Sequence, residues 1–183
     1  MLLRPAVLAD APAIAGIYAH YVRSTVITFA TEAPKAEDFA HKIADPRYPF
    51  LVAEDAGAVV GFVYAASFRE KEAYRWDVEL TIYLTPGLEG RGTGRALLEA
   101  CLRILTAQGY LNAYSCITLP NGRSVGLHEK CGFTNLGVFP KTGYKLGQWC
   151  DVVWMARQLA PYTEPPREVI PAKAAMTALC FPG

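Results

Sequence analysis

The chain has 183 residues, of which 52% are hydrophobic and 19% are charged, and its formal net charge is +1. A nearly neutral chain without a long basic block lacks the electrostatic footprint of a nucleic-acid binder, so we expect no RNA or DNA partner. No apolar run approaches the roughly 20 residues that cross a bilayer, and residues 1–10 carry Arg4 and Asp10 in place of a signal-peptide core. We therefore expect one globular domain in the cytoplasm, without a membrane partner.

The cysteines are odd in number and widely spaced, and they form no Cys-x-x-Cys pair. This spacing indicates neither a disulfide framework nor a zinc or redox site, so we expect buried, reduced thiols and no bound metal. The residues concerned are Cys101, Cys116, Cys131, Cys150 and Cys180.

The first half of the chain passes from helical to strand patterning. Apolar residues recur at helical spacing after Asp10 and Pro12, which suit an N-cap and a first turn, whereas the later runs are β-branched or alternate. On the last of these runs the alternation places Glu79 and Tyr83 on one face. The predicted elements are helices over 10–23 and 35–43 and strands over 49–54, 58–67 and 78–84.

The second half starts with a glycine-rich loop and a leucine-rich helical stripe that ends at Gly109. The predicted elements are helices over 94–108 and 123–131 and strands over 112–118, 134–142 and 149–157. Together these elements predict an α/β fold with a mixed sheet. The segment 161–183 holds five prolines, too many for regular structure, so we expect a surface arm that is partly disordered.

The loop Gly90-Arg91-Gly92-Thr93-Gly94 lies between a predicted strand and a predicted helix. A diphosphate needs several converging backbone N–H donors, and glycines remove the side chains that would block its approach. The following helix directs its N-terminal dipole at the anion. The loop therefore predicts a site for a pyrophosphate-bearing cofactor, although a glycine-rich turn can also be a plain connection. The chain has neither the Gly-x-Gly-x-x-Gly pattern nor a P-loop lysine, which disfavours NAD and ATP.

The segment from Glu89 to Gly94 resembles the glycine loop of the GNAT acetyltransferase superfamily, which reads Gln or Arg, two residues, Gly, one residue, Gly or Ala. Glu89 departs from this pattern, since it stands where the family has Gln or Arg. The departure matters because a carboxylate beside a pyrophosphate is repulsive unless it points outward. The resemblance covers about residues 2–160 and is strongest to the phosphinothricin acetyltransferase branch. Its further motifs are Ile17-Tyr18-Ala19-His20-Tyr21, Thr28-Phe29, Pro49-Phe50-Leu51-Val52-Ala53-Glu54, Phe68-Arg69, Ala73-Tyr74-Arg75-Trp76, Val78-Glu79, Leu119-Pro120-Asn121, Ser124, Leu127-His128-Glu129-Lys130-Cys131-Gly132-Phe133, Gly143-Tyr144-Lys145, Gly147 and Trp149-x-Asp151-Val152.

This resemblance implies a GNAT-type domain over 1–160, with a mixed, mostly antiparallel central sheet flanked by helices, followed by the Pro-rich arm 161–183. It implies acetyl-CoA as co-substrate without a metal, a homodimer, and a small amino-acid-like acceptor such as phosphinothricin, methionine sulfone or methionine sulfoximine. Asp77 and Leu80 depart from the branch and leave the acceptor preference open. The alternatives are an acetyltransferase for another amine (a protein N-terminus, a polyamine or an antibiotic) and a non-catalytic acyl-CoA-binding module.

Amide formation from an amine and a thioester places three demands on a site. The substrate ammonium must lose a proton, and Glu79, whose family counterpart is assigned this role, is the predicted base. A backbone N–H at Tyr83 or Leu84 would stabilise the oxyanion. His128 is the predicted acid for the thiolate of CoA, with a structural histidine as the equal alternative.

The remaining candidates bind the two substrates. The cofactor candidates could instead be turn formers or helix caps, and the acceptor candidates could instead be core residues. Arg91 is preferred to Arg95 as a phosphate ligand. For the acceptor, Arg69 would pair with a carboxylate or phosphinate and the aromatics would wall the pocket. The cofactor set is Tyr83, Leu84, Glu89, Gly90, Arg91, Gly92, Thr93, Gly94, Asn121 and Ser124, and the acceptor set is Phe68, Arg69, Tyr74 and Trp76.

Overall fold

A computed structural model describes residues 1–180. Every predicted helix and strand is present, with ends within one residue of the prediction, except that the strand predicted over 134–142 continues to Lys145. The strands are β1 (Leu2–Pro5), β2 (Phe50–Asp55), β3 (Ala58–Ser67), β4 (Asp77–Leu84), β5 (Asn112–Leu119), β6 (Thr134–Lys145) and β7 (Gln148–Gln158); the helices are α1 (Ala11–Ser24), α2 (Ala36–Ala44), α3 (Thr93–Gln108), α4 (Gly122–Lys130) and α5 (Ala172–Ala178), with single 3-10 turns at Leu8–Asp10 and Glu72–Tyr74.

The strands form one sheet in the order β1-β2-β3-β4-β5-β7-β6. Every neighbouring pair is antiparallel except β4 and β5, which are parallel because α3 carries the chain across between them. The predicted mixed, mostly antiparallel sheet flanked by helices is confirmed.

Strand alternation divides the core between the two faces of the sheet. In β2 and β3, Val52 and Phe62 join α1 and α2 in one buried cluster, whereas their neighbours Leu51 and Val63 join α3 in the other. All four side chains are 0% exposed. Residues two apart on a strand share a face, so the face of Phe62 is also that of its register partner Tyr83, and hence of Glu79.

The Pro-rich arm contains regular structure that the sequence did not predict. Helix α5 packs against α3, and its Ala172 and Ala175 are 3% and 0% exposed. The described prolines of the arm end at Pro171, which is the N-cap, so the next seven residues carry every N–H that a helix needs. A segment rich in alanine can then form two helical turns once it has a surface to pack against.

Gln108, at the end of α3, joins this arm to the rest of the chain. Its side chain is 1% exposed, and its Nε2 donates to the carbonyls of Arg47 and Ile170, each at 2.8 Å. The backbone N–H of Ile170 returns a bond of 2.9 Å to the Gln108 carbonyl. A buried glutamine thus joins two loops to the end of α3.

We expect Gln108→Met to lower the free energy of unfolding by about 1–3 kcal/mol, because the two carbonyls lose their donor while the side-chain volume is kept. Urea denaturation followed by circular dichroism measures the change. The matched control is Gln158→Met, which removes an exposed bond to the Ala160 carbonyl. Equal effects of the two variants would contradict the anchoring role.

Candidate active site

Strands β4 and β5 pair over only three residues and then part. Their register partners are Asp77 with Asn112, Val78 with Ala113, and Glu79 with Tyr114. Beyond that point β4 stays paired with β3, and β5 stays paired with β7, to the end of each strand. The facing edges therefore carry backbone N–H and C=O groups that the sheet does not use.

A cavity of about 610 Å³ lies where the strands part, and it extends between α3 and α4. Most of the predicted cofactor residues line it: Tyr83, Leu84, Glu89, Gly90, Gly92, Gly94, Asn121 and Ser124. Two predicted residues do not. Arg91 is exposed outside the cavity, and Thr93 is buried with its hydroxyl 3.1 Å from the Met1 sulfur. Arg95, which the sequence ranked below Arg91, does line the cavity.

The sequence did not single out the rest of the lining. Tyr21 and Ile27 come from α1 and the loop after it, and the Tyr21 hydroxyl donates to the Leu84 carbonyl at 2.7 Å. Burial, followed by nearby Glu89, raises the pKa of Tyr21 to about 12. The other lining residues are Ile82, Gly122, Arg123, Gly126, Leu127 and Lys130.

The glycine loop has the conformation that an anion cradle requires. Gly90 and Gly92 have φ values of +81° and +86°, which side-chain-bearing residues rarely adopt. Gly92 is the N-cap of α3 and offers no side chain to the first turn, so the initial N–H groups of the helix remain available to an anion. Gly94 serves packing as well, because a Cβ there would lie 3.3 Å from the Leu127 side chain of α4.

Glu89 lines the cavity, and its charge is compensated. One carboxylate oxygen accepts the Gly87 N–H at 3.0 Å and lies 3.5 Å from the guanidinium of Arg123. The two residues come from opposite sides of the cleft, the loop and α4. The departure of Glu89 from the family pattern is therefore accompanied by a nearby cation that the pattern does not include.

Helix α4 begins at an Asn121 cap, whose Oδ1 accepts the Ser124 N–H at 3.2 Å. On the same helix His128 is 2% exposed, with its ring edge-on to Phe133. Its Nδ1 lies 2.8 Å from the Ser124 carbonyl, which can only accept, so Nδ1 carries the proton. Burial lowers the pKa of His128. A neutral ring of this tautomer has no proton on Nε2, so the environment does not support the predicted acid role.

Glu79 lies at the last pair before the strands part. Burial raises the pKa of its carboxyl group, and nearby Arg69 partly offsets this. Cys116, two residues beyond Tyr114, is also close; although the residue as a whole is exposed, desolvation of its sulfur, followed by nearby Glu79, raises the pKa of that thiol to about 11. Glu79 is thus a half-buried carboxylate with an enhanced affinity for a proton, next to a thiol that stays protonated at neutral pH.

Three of the four predicted acceptor residues meet at a second cavity of about 550 Å³, lined by Phe68, Arg69 and Tyr74 with their loop neighbours. The Phe68 ring stacks on Tyr114 at 4.1 Å, and the Arg69 guanidinium lies 4.1 Å from the Phe68 ring centre. Trp76 lines neither cavity. Its indole N–H donates to the Arg167 carbonyl at 2.8 Å, on the Pro-rich arm.

Of the five cysteines, Cys101, Cys131 and Cys150 are buried as expected, whereas the expectation was wrong for Cys116 and Cys180, which are exposed. Across residues 1–180, no group of three or more His, Cys, Asp or Glu side chains is arranged to hold a metal ion. No helix within the same range is long and apolar enough to cross a membrane.

Comparison with known proteins identifies the family. The family model described as acetyltransferase (GNAT) domain matches residues 3–154. The chain belongs to the GNAT acetyltransferase family. It is an acyltransferase, as its curated GNAT relatives are.

Three relatives of this GNAT enzyme are informative. It is 37% identical to the phosphinothricin N-acetyltransferase of Streptomyces viridochromogenes, over 92% of this chain and 93% of that protein. It is 36% identical to the L-methionine sulfoximine/L-methionine sulfone acetyltransferase of Pseudomonas aeruginosa, over 90% and 98%. A crystal structure of a phosphinothricin acetyltransferase from Sinorhizobium meliloti in complex with acetyl-CoA superposes with a TM-score of 0.87 at 37% identity, covering 93% and 96%.

The state of His128 predicts how stability depends on pH. The pKa of His128 in the folded protein lies below the roughly 6.5 of an unfolded histidine. As the pH falls, the unfolded chain therefore binds a proton at this ring before the folded protein does. The contribution of the neutral ring to the free energy of unfolding is complete above roughly pH 6.5 and is lost as the pH falls through the lower pKa of the folded protein.

We expect His128→Asn, whose amide can still donate to the Ser124 carbonyl, to flatten the fall in unfolding free energy as the pH drops below about 6.5. Urea denaturation of both proteins across this range measures the slope. An unchanged slope in the variant would show that another group causes the acid sensitivity.

Proposed function

We propose that the chain is an acetyl-CoA-dependent N-acetyltransferase that acetylates the amino group of a small amino-acid-like acceptor of the phosphinothricin, methionine sulfone or methionine sulfoximine type. One observation carries the proposal: β4 and β5 part directly after Glu79, which lines neither cavity, and the large cavity lies beyond that point, between Ile82 and the glycine loop. The names of the relatives support the acceptor class.

In this proposal the residues of the large cavity hold acetyl-CoA. The N–H groups at the start of α3, beside Gly90 and Gly92, bind the pyrophosphate, and Arg95, Arg123 and Lys130 line the same cavity with positive charge. The exposed guanidinium of Arg123, 3.5 Å from Glu89, reduces part of the repulsion expected from a lone carboxylate. Acetyl-CoA supplies an activated acyl group as a thioester. The Thr85 N–H donates to the Val60 carbonyl of β3, and N–H groups alternate sides along a strand, so Leu84 is the residue whose N–H faces the open edge of β4 and is available to the thioester carbonyl.

Glu79 is the proposed general base. An amino group with a pKa of roughly 8 is mostly protonated at neutral pH and must lose a proton before it attacks. A carboxylate whose pKa is raised by burial accepts a proton more readily than an exposed one. The direct transfer then forms the amide C–N bond as the C–S bond to CoA breaks. His128 has a structural role in this scheme and fixes α4 through Ser124.

The second cavity is the proposed acceptor site. The charge of Arg69 has no carboxylate within 4.0 Å among residues 1–180. Its guanidinium instead lies over the Phe68 ring and 5.5 Å from the Trp154 ring centre. Its Nη1 also donates to the Phe68 carbonyl at 2.8 Å, and the remaining N–H groups are available to an anion, so Arg69 suits the carboxylate or phosphinate of the acceptor.

The function is tested by an acetyl-transfer assay with mass-spectrometric detection and a panel of amines. We expect product with phosphinothricin, methionine sulfone or methionine sulfoximine. Product with only polyamines, antibiotics or peptide N-termini would favour the alternative acceptor classes. Acetyl-CoA binding with no product for any amine would indicate a non-catalytic acyl-CoA-binding module.

The base is tested by Glu79→Gln, which keeps the shape and removes the proton acceptor. We expect kcat to fall at least about 100-fold, with the acetyl-CoA dissociation constant changed less than about twofold. In the unmodified enzyme kcat/KM falls as the pH drops through the raised pKa of Glu79, and the variant loses this limb. Glu129→Gln, an exposed change on α4, is the control. Parallel losses of binding and turnover, or no loss, would refute the assignment.

We also propose a homodimer formed through the hairpin of β6 and β7. This hairpin ends the sheet, and β6 is an edge strand. Six of its large apolar side chains are each 47–60% exposed, on an edge strand and its hairpin that a monomer normally protects. They are Leu136, Val138, Phe139, Tyr144, Leu146 and Trp149.

We expect a dimer by size-exclusion chromatography with light scattering, and a shift toward monomer in Trp149→Lys. The control is Leu8→Lys, which changes an equally exposed apolar residue near the other end of the sheet. A monomeric wild-type protein, or a dimer unaffected by Trp149→Lys, would contradict this interface.

A further inference from the structure

After β7 the chain turns back across the ends of α3, β4 and β5. We call residues 161–180 the tail strap. It is fastened at its far end, where Gln108 binds the Ile170 carbonyl, the Ala172 N–H donates to the Pro46 carbonyl at 3.0 Å, and α5 packs on α3. The strap is therefore part of the packed structure, and the contacts along its middle are held from both sides.

Trp76 is the main contact of the strap with the site. Its indole N–H donates to the Arg167 carbonyl at 2.8 Å, and its own carbonyl accepts the Leu111 N–H at 2.9 Å and the Asn112 N–H at 3.4 Å. The guanidinium of Arg75 lies 4.3 Å from its ring centre. One residue thus joins the strap, the start of β4 and the start of β5.

Tyr162 makes a second contact with the same two strands. Its hydroxyl donates to Asn112 Oδ1 at 2.9 Å, and Asn112 Nδ2 donates to Asp77 Oδ1 at 2.8 Å. Asp77 and Asn112 are the first pair of the parallel ladder, and Glu79 and Tyr114 are the next pair on the same face. The strap therefore fastens one end of a three-residue ladder whose other end opens into the cleft.

The segment 68–76 is the acceptor loop. It connects β3 to β4 and contributes Phe68, Arg69 and Tyr74 to the second cavity. The loop begins after Ser67, the last residue of β3, and ends at Trp76, whose indole N–H is bonded to the strap. A displacement of Trp76 would move both the loop and the first residues of β4.

We propose that the tail strap, acting through Trp76 and Tyr162, is a positioning element that fixes Glu79 and the acceptor loop relative to each other. The inference rests on the proposed function, which gives Glu79 and the loop their roles. Because transfer depends on sub-ångström alignment of base, amine and thioester, loosening this end of the ladder acts on catalysis as well as on stability. The glycine loop lies at the opposite end of the cleft, so we expect the binding of acetyl-CoA to be unaffected.

The test uses Trp76→Phe and Tyr162→Phe in the full-length chain, with the acceptor that the amine panel identifies. We expect kcat/KM for the acceptor to fall about tenfold in Trp76→Phe and about threefold in Tyr162→Phe, while the acetyl-CoA dissociation constant changes less than about twofold. The control is Thr163→Val, which deletes a hydroxyl bonded only within the strap, to the Pro165 carbonyl. It should behave as wild type.

The acceptor KM separates positioning from simple destabilisation, because a smaller folded fraction lowers the apparent kcat without changing KM. Tyr162 is 64% exposed, so Tyr162→Phe decides the matter if Trp76→Phe fails to fold. An unchanged acceptor KM in the folded variants, whatever the kcat, or an equal loss of acetyl-CoA affinity, would overturn the proposal. If Glu79 is not the base, kcat is unchanged in Glu79→Gln. The acceptor KM of the strap variants still reports on the acceptor loop in that case.

Discussion

The parting of β4 and β5 after three residue pairs is the constraint on which the rest of the site depends. A strand in the interior of a sheet usually has the backbone groups of both its edges paired, and leaving a buried backbone group unpaired costs free energy. Here β3 holds β4 as far as Leu84, and β7 holds β5 as far as Leu119, so each strand keeps its position without the other. The large cavity lies at this gap, and Ile82, Tyr83 and Leu84 of β4 line it.

The cleft has different chemistry at its two ends because β4 spans it. Leu84 follows Glu79 by five positions, roughly 17 Å at strand spacing, so the carboxylate stands well away from the cationic side chains near the glycine loop, and its proposed role as base requires a water that relays the proton from the amine. At the outer end Arg123 compensates Glu89, while at the inner end Arg69 offsets the burial of Glu79 only in part. One end therefore suits an anionic cofactor, and the other suits removal of a proton from an amine.

The sequence predicted the features that are local. Periodicity and turn residues placed ten elements, and the glycine loop is contiguous, so its position before α3 could be read directly. Strand β1 was missed because four residues at a sheet edge carry little pattern, and α5 because the prolines before it hid a short alanine-rich helix.

Long-range contacts were beyond such patterns. Tyr21 reaches the cavity from α1, far from the glycine loop in sequence, and its motif gave it no role; Arg123 lies between the predicted residues Asn121 and Ser124, but only the fold shows that its side chain faces Glu89. Trp76 was grouped with Tyr74 as an acceptor residue, yet its indole binds the Pro-rich arm some 90 residues later in the chain. The side chain of His128 illustrates a related limit: its position in α4 was predictable, whereas its burial and tautomer depend on the packing around Ser124 and Phe133.

The central claim is that the cleft between β4 and β5 is where the acyl donor binds. A crystal structure of this chain with CoA tests it most directly. We expect the pyrophosphate on the N–H groups at the start of α3 and the pantetheine arm between the two strands, with the sulfur directed toward Glu79. A CoA molecule bound elsewhere, or one whose sulfur lies away from the Glu79 face of the sheet, would contradict the account.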